Sequence, residues 1–261
     1  SAVTLSAGSE AATAISTLEG QSYISTINGA AVTTLTGTVT EVNAAIADLT
    51  TNPTASAVTL SAGSEAAAAI STLEGQSYIS TINGAAVTTL TGTVTEVNAA
   101  IADLTTNPTS SAVTLSAGTE AAAGVSALEA QSYISTVNGA AVTTLTGTAT
   151  EVVAIVNDTK ISVAADYAAT LSGTATTSQL LTIAGDTTGT ITAANITDSM
   201  SAVQSYSGTS ARASAVIENA TGTVTAEGSG VSESADFSTL AAGLTVTAGG
   251  GHDSASGTRF N

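Results

Sequence analysis

The sequence predicts a mainly β repeat protein, a β-solenoid with a short helix in each coil. Three observations lead there: one 55-residue block is written three times, each block divides into two related strand–helix halves, and the apolar residues are nearly all small or aliphatic. Residues 1–55 and 56–110 differ only where Thr13 becomes Ala68 and Ala55 becomes Ser110. The third copy starts at Ser111 and keeps register to about Asp158. A fixed period of this size marks a repeat architecture. Aromatic residues are 3% of the chain and Trp is absent, so Ala, Val, Ile and Leu must fill the interior. Side chains of that size do not fill a wide core at native density. They suit thin layers, in which each element packs on a near neighbour.

Within a block the elements follow from spacing. Residues 2–6 alternate apolar with small or polar, a strand pattern. Ser9 offers an N-cap to a helix with Ala12, Ile15 and Leu18 on one face, stopped at Gly20. Strands 23–27 and 31–35 flank Asn28-Gly29, a strong signal for a tight hairpin or corner with Gly29 at positive φ. Thr38 and Glu41 form a capping box. Val39, Val42, Ile46 and Leu49 follow at helical spacing, and Asn52-Pro53 ends the helix. Val3-Thr4-Leu5 with Glu10, Ile15 and Leu18 resembles Thr34-Leu35-Thr36 with Glu41, Ile46 and Leu49. The elementary unit is therefore roughly 25–30 residues, paired into the 55-residue block; a unit that small buries its apolar face only by stacking on neighbours.

The expected organisation is block 1 over 1–55, block 2 over 56–110, block 3 over 111–158, and degenerate coils of the same solenoid over 159–261, with a small β domain as the alternative. The Thr-rich pattern of 188–193 returns at 221–226 and 243–248. Short helices are expected at 179–183 and 235–241, and irregular loops at 205–213 and 227–234. About nine or ten stacked coils at ~4.8 Å each would span on the order of 45 Å. Ser1 opens in repeat register with no leader, which reads as a processed product or a piece of a longer repetitive protein.

Charge narrows the function. Twenty acidic residues face Lys160, Arg212 and Arg259, a net charge of −17. Phosphate binding needs clustered Lys and Arg, so nucleic acid and anionic membrane surfaces are poor partners. The dispersed acids keep the chain soluble and limit clumping. With no cysteine there is neither a disulfide nor a thiolate metal site. No apolar run approaches the ~20 residues of a membrane span.

The segments Val32-Thr33-Thr34-Leu35-Thr36-Gly37-Thr38, Glu41-Val42-Asn43 and Ile15-Ser16-Thr17-Leu18-Glu19-Gly20 resemble repeats of very long secreted or cell-surface proteins of marine bacteria and cyanobacteria. That resemblance to adhesin and surface-coat proteins covers about two thirds of the chain. It implies an extracellular location and a structural or adhesive role, and it brings no catalytic residues.

No residue pattern points to catalysis. His252, Asp253 and Ser254 are adjacent, whereas the partners of a hydrolytic triad converge from separate segments. Residues 248–253 nearly match the calcium-binding G-G-x-G-x-D pattern, which makes Asp253 a weak candidate for loosely bound calcium, though one motif supplies half of such a site and a glycine-rich loop is the plainer expectation. No other cofactor or metal is expected. Glu10, Glu19, Glu41 and Asp48 recur in block 2; Glu10 and Glu41 fit helix N-termini, and paired carboxylates of a glycosidase would not recur in every block. Tyr23, Tyr78 and Tyr133 repeat at the block period, either as corner fillers or as an aromatic ladder for a glycan or a partner. The Thr-x-Thr strands are read first as strand formers and second as hydroxyl arrays for ice, mineral or polysaccharide. Asn157, Asn195 and Asn219 match the glycosylation pattern, as chance allows in so Asn- and Thr-rich a chain. The expected function is a non-enzymatic extracellular filament, stalk or coat assembled by head-to-tail self-association, with Val3, Leu5 and the three tyrosines as assembly candidates. An adhesin stalk that binds glycan, ice or another surface is the alternative.

Overall fold

Each helix of the repeat is preceded by two short strands. The computed structural model describes residues 1–227 together with three short strands beyond them. Block 1 runs β1 (Ala2–Thr4), β2 (Gly8–Ala11), α1 (Ala12–Glu19), β3 (Thr26–Asn28), β4 (Val32–Gly37) and α2 (Val39–Asp48). Block 2 runs β5 (Ser56–Leu60), β6 (Gly63–Ala66), α3 (Ala67–Glu74), β7 (Ile79–Asn83), β8 (Val87–Gly92) and α4 (Val94–Asp103). Block 3 runs β9 (Ser111–Leu115), β10 (Gly118–Ala121), α5 (Ala122–Glu129), β11 (Ile134–Gly139), β12 (Val142–Thr148) and α6 (Ala149–Asn157). Then come β13 (Ile161–Val163), β14 (Ala168–Ala175), α7 (Thr177–Asp186), β15 (Ile191–Ser199), α8 (Met200–Thr209), α9 (Ala211–Glu218) and β16 (Val224–Glu227). The three last strands are β17 (Ser234–Asp236), β18 (Leu244–Thr247) and β19 (Ser254–Ser256).

The chain is α/β rather than mainly β, since eight to ten residues of each unit go into a helix. It divides into two compact units, one of residues 1–116 with 128–138 and one of 117–127 with 139–261. Every strand pair described is parallel. In the first unit β1 pairs β3, and two longer runs are β2-β4-β5-β7 and β6-β8-β9-β11. In the second, β10-β12-β14-β15-β16-β18 form one sheet and β17 pairs β19. Register stacks aliphatic residues: Leu35 lies beside Val58 and Val58 beside Ile82, all fully buried. Leu145, Ala169 and Ile191 do the same in the second unit. The alternating pattern of the strands thus puts one face into an aliphatic layer, although the second unit also buries Tyr167 and Tyr206.

Strand pairing explains why the sequence repeats every two units. Inside a block, first strand pairs first (β1 with β3) and second pairs second (β2 with β4). Across the boundary the second strand β4 pairs the first strand β5. Helices likewise pack within a block, α1 on α2 and α3 on α4. Two interfaces therefore alternate, and the true repeat contains both. Threonine hydroxyls tie neighbouring turns: Thr33 donates to Gly8 O at 3.1 Å and Thr36 to Glu10 O at 3.3 Å, with Thr88 and Thr91 repeating this in block 2.

Several local expectations change. Ser9 is not an N-cap; it lies in β2, and α1 starts at Ala12 after Ala11, which has no side chain to cap with. Asn28-Gly29 does not turn a hairpin, since β3 and β4 pair with other strands and in parallel. Asn28 Oδ1 accepts from Ala30 N at 3.0 Å, a local turn between two parallel strands. Positive φ occurs at Gly37, Gly92 and Gly147 rather than at Gly29, Gly84 and Gly139. Residues 205–213, expected as loop, belong largely to α8 and α9. Residues 234–236 are a strand where a helix over 235–241 was expected to begin. The helix expected at 179–183 lies inside α7, and β15, β16 and β18 carry the three Thr-rich segments.

Glycine at Asn-Gly is needed for space instead. A Cβ on Gly84 would lie 2.7 Å from Leu104 Cδ1 and 2.9 Å from Cδ2, with Leu104 itself buried. Gly84→Val is expected to cost about 1–3 kcal/mol by overpacking, read as a lower urea midpoint. An unchanged midpoint would mean that Leu104 yields freely.

Candidate functional site: the block boundary and its carboxylate clasp

The boundary between blocks is held by acids that cap a neighbour's helix. α2 begins with a capping box: Thr38 N donates to Glu41 Oε2 at 2.7 Å, and Glu41 N donates to Thr38 Oγ1 at 3.2 Å. The box leaves the next amide, that of Val39, without a partner from its own helix. Glu65 of β6, in the following block, supplies it: Val39 N donates to Glu65 Oε2 at 3.1 Å. Glu65 is 3% exposed, and its other oxygen, Oε1, is buried with no partner. Two carboxylates thus share the positive end of one helix dipole.

The second unit repeats the arrangement with different residues. α7 is capped by Thr176 with Gln179 completing the box. Asp198 of β15 accepts from Thr177 N at 3.0 Å and Thr177 Oγ1 at 2.7 Å. Here an amide has replaced the box carboxylate, so one charge remains. The titration behaviour of the two acids separates accordingly. Burial pushes the Glu65 carboxyl up; the Val39 N–H opposes this, and the nearby Glu41 charge adds to it. Burial also acts against charged Asp198, but the Thr177 hydroxyl and the Ser199 and Thr177 amides outweigh it and hold that carboxyl below its ordinary value.

The same boundary residues occur in all three blocks, with different burial. Ser56, Val58, Glu65 and Leu73 are buried, whereas their counterparts Ser1, Val3, Glu10 and Leu18 are exposed or half-buried. In block 3, Ser111, Val113, Glu120 and Leu128 are buried again. Strands β1 and β2 each lie at an edge of their sheet. Of the assembly candidates, Val3 is half-buried, while Leu5 is 9% exposed. Tyr23 is 66% exposed, and Tyr78 and Tyr133 are half-buried. Their backbones repeat: Ser1, Ser56 and Ser111 donate through nitrogen to Tyr23 O, Tyr78 O and Tyr133 O. The tyrosines therefore occupy equivalent positions that differ in cover.

Sequence reasoning placed Glu10 and its copies at the start of their own helix; the structure places the block 2 copy on the helix of the preceding block. Glu41 sits in its capping box as expected, while Glu19 and Glu74 are exposed. Asp48 links the helices of block 1, accepting from Ser16 Oγ at 2.6 Å. Asn195 Oδ1 accepts from Thr223 N at 2.8 Å and Thr223 Oγ1 at 3.2 Å, so this asparagine is engaged between strands. Among the described residues no group of three or more His, Asp or Glu could hold a metal ion. His252 and Asp253 lie outside the described residues. No described helix is long and apolar enough to cross a membrane. No protein-family model, curated protein or solved structure matches the chain.

Proposed function

We propose that this chain is a non-enzymatic, extracellular structural protein, a stretch of β-solenoid with a helix in each coil that stacks head-to-tail into a cell-surface filament, stalk or coat. One observation carries the reading. The surface that block 2 buries on block 1 is written again, residue for residue, in every block: Ser56, Val58, Glu65 and Leu73 recur as Ser1, Val3, Glu10 and Leu18 and as Ser111, Val113, Glu120 and Leu128. A strand–helix unit docking on β1 and β2 would bury Val3 and Leu18, pair the edge strands, and give Glu10 the first amide of its helix. Such a contact repeats by translation and leaves open chains rather than closed rings. The extracellular placement rests on the resemblance to surface-protein repeats.

Sedimentation velocity and electron microscopy at rising concentration test this. The natural chain is expected to form elongated assemblies, and Val3→Asp with Glu10→Lys to stay monomeric, because the new charges must be desolvated in the docking layer and the lysine would face a helix N-terminus. Leu5→Asp is unsuitable, since Leu5 is already buried in the single chain. Monomers at all concentrations would replace the filament with a single adhesin stalk. Equal assembly of the double variant would place the contact elsewhere.

A further inference from the structure

The seam between blocks is built differently from the seam inside one. Within block 1 the two strand–helix halves are joined by two strand pairs, β1 with β3 and β2 with β4, and by a bond between helices, Ser16 Oγ to Asp48 Oδ2 at 2.6 Å. Thr33 and Thr36 add hydroxyl bonds to Gly8 O and Glu10 O, and Ile27 N donates to Thr50 Oγ1 at 3.1 Å. Block 2 has the same two inner pairs, β5 with β7 and β6 with β8. Blocks 1 and 2 are joined by one strand pair, β4 with β5, and by Ser61 N donating to Gly37 O at 3.0 Å. α2 packs chiefly on α1 and less on α3.

The side-chain bond across this seam is the one from Val39 N to Glu65 Oε2, and its setting is poor. Glu65 is 3% exposed, its Oε1 has no partner, and it meets a helix end where Glu41 already holds the adjacent amide. A buried carboxylate stabilises only when its oxygens are satisfied and its charge is compensated. Neither condition is met here. The bond therefore fixes the register of the blocks while adding little to their cohesion. Opening the seam would give both Glu65 and the Val39 amide to water.

Burial shows which side chains depend on the seam. Val58 lies beside Leu35 across it and beside Ile82 within block 2, and it is fully buried. Its counterpart Val3, on an edge strand, is half-buried. Leu73 is likewise buried where Leu18 is half-buried. Ile82 and its counterpart Ile27 are both buried, so their cover comes from their own block.

We propose that the seam between blocks is a releasable joint: β5 parts from β4, and Glu65 from α2, while each block keeps its own strands and helices paired, and the Glu65 carboxylate sets how readily this happens. The whole block, rather than its strand–helix half, is then the part that moves as one. Segments held by fewer internal bonds open at lower free energy than the rest of a fold.

Single cysteines placed in this chain, which has none of its own, report the opening. Val58→Cys and Leu73→Cys lie at the seam and Ile82→Cys inside block 2. Each is labelled with a thiol reagent at pH 7, and its rate is divided by that of the same variant unfolded in urea. Both seam positions are expected to label about tenfold faster than Ile82→Cys, a ratio that separates local from global opening. Glu65→Gln removes the like charge yet keeps an acceptor for Val39, so it should slow both seam positions about threefold and leave Ile82→Cys unchanged. Equal rates at all three positions would show that blocks do not part before they unfold. Fast labelling at Val58→Cys alone would be a local effect of that substitution, and seam rates untouched by Glu65→Gln would remove the carboxylate from the joint. Each of these results overturns the proposal.

Discussion

Glu65→Ala is expected to lower stability by about 2–3 kcal/mol, because it strips the Val39 amide of its only acceptor and leaves a void at the block boundary. Urea denaturation reads this directly. Glu65→Gln behaves differently: the amide oxygen still accepts from Val39, and its NH2 group can donate toward Glu41. Gln179 shows the fold accepting an amide in such a clasp beside Asp198. The pH dependence separates these cases. The Glu65 carboxyl is held above its ordinary 4.5, so the folded chain keeps this proton where the unfolded chain has released it. Its contribution is most favourable below pH 4.5 and is lost as pH rises through the raised folded value. Asp198 has the opposite sign: its contribution is in place above the ordinary 3.8 and is lost as pH falls through the lowered folded value. Glu65→Gln should therefore equal or exceed the natural chain at pH 7 and lose that advantage at pH 4. A variant weaker than the natural chain at pH 7 would show that Glu65 is charged and well paired there.

Gly189→Val should be more damaging still, costing over about 3 kcal/mol and melting the second unit. A Cβ at Gly189 would collide with the carbonyl oxygens of Tyr167 and Asp166, which are backbone atoms and cannot rotate aside. The position is held from several sides. Gly189 N donates to Thr187 Oγ1 at 2.9 Å, Thr187 Oγ1 donates to the buried Tyr167 O at 2.5 Å, and Gly189 O receives the Arg212 guanidinium. Gly185→Ala is the control: it lies in α7, a Cβ there meets nothing within 4 Å, and replacing a helical glycine should add up to about 0.5–1 kcal/mol. Circular dichroism melts of the two variants should move in opposite directions. Similar melting of Gly189→Val and the natural chain would mean that the close backbone approach at this turn is wrong.

Features decided over a few residues were legible in the sequence. The Thr38–Glu41 box is one, because its partners lie three residues apart and their bonds form whenever the helix forms. The α7 helix and the Thr-rich strands β15, β16 and β18 were legible for the same reason. Ser9 misled because a good capping residue does not start a helix when its segment pairs with a strand; Gly8–Ala11 lies along β4. Asn28-Gly29 misled because glycine can serve either a positive φ or a tight contact, and the contact, Leu49 with Gly29 and Leu104 with Gly84, comes from about twenty residues away. The Glu65–Val39 contact left no signal, since its partners lie in different blocks with no local pattern joining them.

By itself the sequence determined that the chain repeats, that its core is mostly aliphatic, that a helix starts at the Thr38–Glu41 box of the repeat, and that basic residues are few. Tertiary structure decided which glycines are crowded, which acid caps which helix, and which faces are covered. Val3 and Val58, or Glu10 and Glu65, make the point most directly: they sit in near-identical sequence, yet one of each pair is buried and the other is not. Local sequence is the same for both, so burial is set by what stacks against each position and not by the residues themselves.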